Sequence, residues 1–179
     1  MTTTKSAESI RAYYETHGVI QYYQTHGGNY SNPHESAIFK CLDVVFNKHK
    51  PCLDNVLDLA CGNGVITSYL LATSNVVGID PYTAVAYQNR VGKKALNYTF
   101  QKIGRGEIRD HKYDLIICSF ALHLVEYSYL PSICYELAQI SPKLLILTPH
   151  KRPIIRWGWD LIDELVVDRV RARYYQAAI

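Results

Sequence analysis

Asn55-Val56-Leu57-Asp58-Leu59-Ala60-Cys61-Gly62-Asn63-Gly64 decides the fold. Its first half is a short apolar run and its second half a turn with two glycines. A helical stretch follows to Leu71. A strand that passes through a glycine turn into a helix opens a βαβ unit. Gly62 and Gly64 let the backbone turn tightly and approach a ligand closely, and the helix behind them aims its positive end at that ligand. A second apolar run, Val76-Val77-Gly78-Ile79, ends at Asp80, 22 residues after Asp58. An acid at that place can accept hydrogen bonds from both hydroxyls of a ribose.

Downstream, the alternation continues. Thr83 to Arg90 reads as helix, Tyr98 to Gln101 as a third strand, Tyr113 to Cys118 as a fourth, Pro131 to Gln139 as helix and Leu144 to Leu147 as a fifth strand. Short apolar strands alternating with helices predict a parallel sheet buried on both faces. Too few residues separate Pro149 from Trp159 for a crossover helix. Leu161 to Val167 and Val170 to Tyr175 therefore read as an antiparallel hairpin turning near Asp168, at one edge of the sheet. Upstream, Asn32-Pro33-His34-Glu35 has the form of a capping box. The helix behind it carries Ile38, Cys41, Leu42, Val45 and Phe46 on one face and stops before Pro51. The expected architecture is α/β and Rossmann-like: a mostly parallel seven-stranded sheet ending in an antiparallel hairpin, with helices on both faces and a short N-terminal helical lid.

The totals agree with one domain. The chain has 179 residues, 48% hydrophobic, with a net charge of +3. Residues 1–33 form a tyrosine-rich lid segment and residues 34–179 a ligand-binding core. The five cysteines are odd in number and none has C-x-x-C spacing, which argues against a disulfide framework and a structural zinc site; no metal is expected. The start lacks a signal-peptide apolar region, and no apolar stretch approaches membrane-spanning length. The reading is a soluble cytoplasmic protein with no membrane partner.

Two other interpretations of the glycine turn compete. A nicotinamide dinucleotide site wants a third small residue where Thr67 stands, and Asp58 would repel a pyrophosphate there; the terminal hairpin is also foreign to that fold. A turn that binds nothing leaves Asp58 and Asp80 without a purpose. A cofactor carrying an ammonium and a sulfonium suits the acid-flanked loop.

Taken together, these stretches resemble class I S-adenosylmethionine-dependent methyltransferases. Val56 to Gly64 is similar to their first motif, Val77-Gly78-Ile79-Asp80 to their second, and Tyr113 to Leu124 to their fourth; the likeness covers about residues 34–176. It implies S-adenosyl-L-methionine as cofactor. Backbone from Ala60 through Cys61 and Gly62 to Gly64 would hold the methionine part, with Asp58 near the ammonium. Asp80 would hold the ribose, Pro81 and Tyr82 would cover the adenine, and Ser119 and Phe120 would lie beside the sulfonium. The third motif departs from the family: Phe100-Gln101-Lys102-Ile103-Gly104 has no acid, leaving backbone at Ile103 or the Gln101 amide for the adenine.

Methyl transfer needs a nucleophile held on the methyl axis and water excluded; a base adds ~10²–10⁴-fold when the nucleophile carries a proton. His123 after strand four and His150 after strand five are the candidate bases, weighed against simple packing beside the sheet. Substrate contacts are expected from Tyr14, Tyr22, Tyr23 and Tyr30 of the lid, from His34 in the capped helix, and from Lys151 and Arg152 at the rim; Tyr13 belongs to the same cluster. Arg169, Arg171 and Arg173 read as an exposed or salt-bridged strand face, with Asp163 or Asp168 as partners. Cys61 and Cys118 are read as small packing residues, not nucleophiles. The leading function is methylation of a small molecule at O, N or S. The alternative is RNA, with Lys151, Arg152 and Arg156 reading phosphates and tyrosines stacking on a base. A third reading is a non-catalytic cofactor-binding partner subunit.

Overall fold

Val56 to Leu59 are all buried, and the reason is that helices cover the sheet on both faces. The computed structural model describes residues 32–179 together with Gln21, Tyr22, Thr25 and Gly27. Its strands are β1 (Asn55–Leu59), β2 (Asn75–Ile79), β3 (Leu115–Ser119), β4 (Lys143–Thr148), β5 (Trp159–Val167) and β6 (Val170–Ala177). They form one six-stranded sheet in the order β2-β1-β3-β4-β6-β5. β1 to β4 are parallel, and β6 runs antiparallel to both β4 and β5. From residue 32 on, the α-helices are α1 (Glu35–His49), α2 (Val65–Leu70), α3 (Ala84–Val91), α4 (Phe100–Gly104) and α5 (Leu130–Ile140). None of the described helices is long and apolar enough to cross a membrane.

Strand alternation divides the core in two. Leu57, Ile116, Cys118, Leu144 and Ile146 pack on Ile103 of α4 and on Ile133 and Leu137 of α5. Val56, Leu115, Ile117, Leu145 and Leu147 pack on Ile38, Leu42 and Val45 of α1 and on Ile66 and Leu70 of α2. Asp58 follows Val56 in this alternation and so turns its carboxylate toward α2.

Several expectations change. Among the described residues the sheet has six strands, not seven: Tyr98 to Gln101, read as strand three, pairs with no strand, and the one parallel bridge there, Ile79 with Leu96, falls upstream of it. Thr99 then accepts a hydrogen bond from the Lys102 amide at 3.2 Å, and this N-cap starts α4 at Phe100. The capping box also fails to form. Asn32 Oδ1 accepts the His34 amide at 2.9 Å, a local turn, and α1 begins at Glu35 with His34 as an N-cap that makes no side-chain cap bond.

The hairpin turns on Asp168 and Arg169, both left-handed at φ 48° and 68°, as a two-residue connection between twisted strands demands. The two-residue turn puts Glu164, not Asp163, opposite Arg173; the register holds out to Asp163 with Tyr174 and shifts only at a bulge between Leu161 and Asp163. Asp163 pairs with Lys48 and His49, Asp168 pairs with Lys40, and Glu164 takes both Arg171 and Arg173. Nor is that face exposed throughout. Arg173 is 1% accessible and donates to Glu164 Oε2 at 2.5 Å, to the Pro153 carbonyl at 2.7 Å and to the Lys151 carbonyl. It clamps the loop after β4.

Candidate active site

The C-terminal ends of β1, β2 and β3 open into one cleft, the position at which parallel sheets bind ligands. Asp58, Ala60, Cys61, Gly62 and Asn63 form its floor, Asp80, Pro81 and Tyr82 one side, and Ser119 and Phe120 the other.

The floor is built around Asp58, which is 1% accessible. Its Oδ2 accepts two hydrogen bonds from Thr67 of α2, from the backbone amide at 3.1 Å and the hydroxyl at 2.7 Å. Thr67 is braced by the Tyr87 hydroxyl at 3.1 Å, and the Tyr87 ring lies where a side chain on Gly78 would be. Thr67, which breaks the dinucleotide pattern, is thus the residue that orients the acid. Burial pushes the Asp58 carboxyl up to about 7, against the lowering effect of the Thr67 bonds.

Asp80 ties the second turn to the first. Its Oδ1 accepts the amides of Tyr82 and Thr83 at 2.8 and 3.0 Å, and its Oδ2 accepts the Gly62 amide at 3.2 Å. Thr83 returns a bond to the Gly62 carbonyl at 2.7 Å. Burial raises the carboxyl above its ordinary range despite these amides.

Ala60 and Phe120 sit at the ends of adjacent strands in the left-handed region, at φ 56° and 55°. Such non-glycine geometry costs roughly 1–3 kcal/mol each and concentrates at ligand sites. The Phe120 amide is fixed by the Leu147 carbonyl at 2.8 Å, and its ring stacks on His34 with centroids 5.0 Å apart.

Polar atoms in the cleft lack partners. Asn63 Oδ1 and Ser119 Oγ are buried without a hydrogen bond, and both Thr67 bonds fall on Oδ2 of Asp58, so Oδ1 receives none among the described residues. Buried polar atoms are rarely left unpaired. An ammonium, with three donors and one positive charge, fits this acceptor set; a pyrophosphate does not.

The far wall consists of Tyr98, Phe100, Gln101 and Ile103, faced by Leu124, Val125, Glu126 and Tyr129. Sequence reasoning missed Asn63, which its place between two glycines should have revealed. It also missed the 122–129 wall, because two 3₁₀ turns carry no periodic signal.

Other expected residues lie outside the cleft lining. Gly64 does: a Cβ there would meet Val91 at 2.5 Å and Tyr87 at 3.1 Å, so it is glycine for helix packing and for its φ of 82°. Lys151 and Arg152 are exposed on the loop after β4. His123 and His150 meet each other, with ring centroids 4.5 Å apart. Burial, and secondly His150, lowers His123 to about 4, leaving it neutral at ordinary pH with a buried Nδ1 that has no partner. The Cys118 thiol is pushed up to about 12 by burial, and Cys61 higher still; neither is a thiolate. Tyr22 is half-buried and does not line the cleft. Tyr13, Tyr14, Tyr23 and Tyr30 lie outside the described residues.

Comparison with known proteins places this geometry. Residues 56–141 match the family described as methyltransferase domain, a span that includes Asp58, Asp80 and Phe120. An uncharacterized protein of Schizosaccharomyces pombe is 31% identical, over 89% of this chain and 89% of its own length. Over residues 56–141 the chain matches the methyltransferase-domain family, and its fold is that of the class I S-adenosylmethionine-dependent methyltransferases. Solved structures show the same methyltransferase fold. The N-methyltransferase NodS from Bradyrhizobium japonicum WM9, in complex with S-adenosyl-L-homocysteine, has a TM-score of 0.66 at 14% identity, covering 89% of this chain and 98% of that one. The magnesium protoporphyrin IX methyltransferase ChlM from Synechocystis PCC 6803, with bound S-adenosylmethionine, has a TM-score of 0.55 at 17% identity, covering 98% and 100%. The 16S rRNA methyltransferase RmtF, with S-adenosyl-L-homocysteine, has a TM-score of 0.64 at 15% identity, covering 88% and 69%. A methyltransferase fold therefore serves both small molecules and RNA, and the acceptor has to be argued from the site.

Proposed function

We propose that the cleft binds S-adenosyl-L-methionine and that the chain transfers its methyl group to a small molecule at O, N or S. The observation that carries this reading is the set of unpaired acceptors, Asp58 Oδ1, Asn63 Oδ1 and Ser119 Oγ, beside the bonded Asp80 carboxylate. Asp58 and Asn63 would hold the methionine ammonium, Asp80 the ribose, and Tyr82 with the backbone at Ile103 the adenine. Ser119 and Phe120 would flank the sulfonium. The bound cofactor supplies a methyl group on a good leaving group. The chain's contribution is orientation and the exclusion of water. Phe120, Leu124, Val125 and Tyr129 give the cleft an apolar wall, which suits a compact acceptor.

RNA is a second reading, favoured by Lys151, Arg152 and Arg156, all exposed and without an ion pair among the described residues. Methyl-labelled cofactor and cell extract, separated into metabolites, RNA and protein, distinguish the two. Label in the metabolite fraction, lost with Asp80→Asn, is expected. Label in RNA alone replaces the first reading by the second.

A further inference from the structure

Helix α3 and its N-cap Thr83 brace the two acids of the cleft and reach the start of α1. At its start, Thr83 bonds Asp80 Oδ1 through its amide and the Gly62 carbonyl through its hydroxyl. One turn on, Tyr87 braces the Thr67 hydroxyl that holds Asp58. At its end, Arg90 reaches back to the start of α1. Its Nη1 and Nη2 donate to the two Glu35 carboxylate oxygens at 2.8 and 2.6 Å. This is a fork-on-fork pair, the stronger kind of charge-assisted contact. Its side chains are only 27% and 34% accessible, so water screens it less than an open surface pair.

What the pair holds is the roof. Asn32 lines the cleft. His34 stacks on Phe120, the residue beside Ser119. Gly27 lies so close to the Tyr82 carbonyl that a Cβ there would come within 2.5 Å of its oxygen. The N-cap of α1 makes no side-chain cap bond; Ile38 anchors the first turn in the core, and ahead of it Glu35–Arg90 and His34–Phe120 fasten the end that faces the cleft.

We infer that Glu35 and Arg90 are positioning residues: their pair latches the start of α1 over the cleft, and cofactor leaves when it opens. The inference rests on the cofactor reading above. Neither residue lines the cleft, so replacing one changes the latch without removing a ligand contact.

The test is the dissociation rate of S-adenosyl-L-homocysteine, by stopped-flow displacement, from the unsubstituted chain, Glu35→Ala, Arg90→Gln, both together, and the reversed pair Glu35→Arg with Arg90→Glu. Each single change should speed dissociation about 3- to 10-fold, with Tm within a few degrees. The double change should add little to either single one, and the reversed pair should recover most of the slow release. Raising the salt should speed release from the unsubstituted chain more than from the single variants. Rates within twofold of the unsubstituted chain for both single variants overturn the latch. So does an equal acceleration in the reversed pair, which would mark a purely structural role. If the unsubstituted chain binds no S-adenosyl-L-homocysteine, the cofactor reading itself falls and the latch with it.

Discussion

Thr67→Val keeps the shape of Thr67 and removes one atom's chemistry. The Asp58 carboxylate loses the 2.7 Å hydroxyl bond and keeps the 3.1 Å backbone amide. A hydrogen bond to a charged group is worth about 1.5–3 kcal/mol, and 1.36 kcal/mol corresponds to one pKa unit. Asp58 already sits at about 7 because it is buried, so the variant should titrate roughly one to two units higher. An ammonium binds the ionised form. At about pH 7.5 most of the unsubstituted chain carries that form, while only about 3–25% of the variant does, so affinity should fall about 3- to 25-fold. The deficit should grow as pH falls toward about 7 and shrink as it rises past the variant's own midpoint. Expressed as a ratio of the two proteins, the cofactor's own titration cancels. Calorimetric titration with S-adenosyl-L-homocysteine at a series of pH values reads this directly, and Thr67→Ser, which retains the hydroxyl, should follow the unsubstituted curve. Stability carries the opposite sign. The folded carboxyl lies above its unfolded value, so this group's contribution is full below about pH 4 and is lost as pH rises through about 7. A variant whose affinity profile overlays the unsubstituted one at every pH would refute the role of Thr67 and the ammonium assignment to Asp58.

Gly64→Ala should cost stability, by about 2–4 kcal/mol from left-handed strain and crowding, while cofactor affinity in the folded protein changes little; Val91→Ala should restore part of the loss, and thermal melts with a titration separate the two effects. Replacing Lys151, Arg152 and Arg156 together by Ala should leave S-adenosyl-L-homocysteine binding unchanged and raise KM for an anionic acceptor; unchanged kinetics on the labelled acceptor would show that these cations only meet solvent. Arg173→Met removes the clamp on the Lys151 and Pro153 carbonyls and strands Glu164 without one partner. It should lower Tm and increase proteolytic cutting at 150–156, and a nicking pattern identical to the unsubstituted chain would refute the clamp.

The sheet was legible because strands covered on both faces must be apolar at nearly every position. Leu57, Ile116 and Leu145 all sit in such runs, and the glycine turn with Asp58 and Asp80 marked where the cleft lies. Pairings set by tertiary geometry left no trace in local pattern. Tyr98 to Gln101 has strand-like residues, yet Thr99 caps α4 within it, and the single bridge falls upstream at Leu96. Asp163 turns to Lys48 and His49 of α1, far away in sequence, and leaves Arg173 to Glu164 across the hairpin. Gly64 was legible as a turn residue, as its φ of 82° bears out, but not as a packing one: where a side chain would stand, its neighbours are Val91 and Tyr87. The role of Thr67 was hidden in the same way, since departure from one fingerprint says nothing about the hydrogen bond that replaces it.

A crystal structure of the chain with S-adenosyl-L-homocysteine decides whether the cleft is a cofactor site. The amino group is expected within hydrogen-bond distance of Asp58 Oδ1 and Asn63 Oδ1, the ribose hydroxyls on Asp80, and the sulfur beside Ser119 and Phe120. Ligand density elsewhere, or in the cleft with the amino group turned away from Asp58, would contradict that placement.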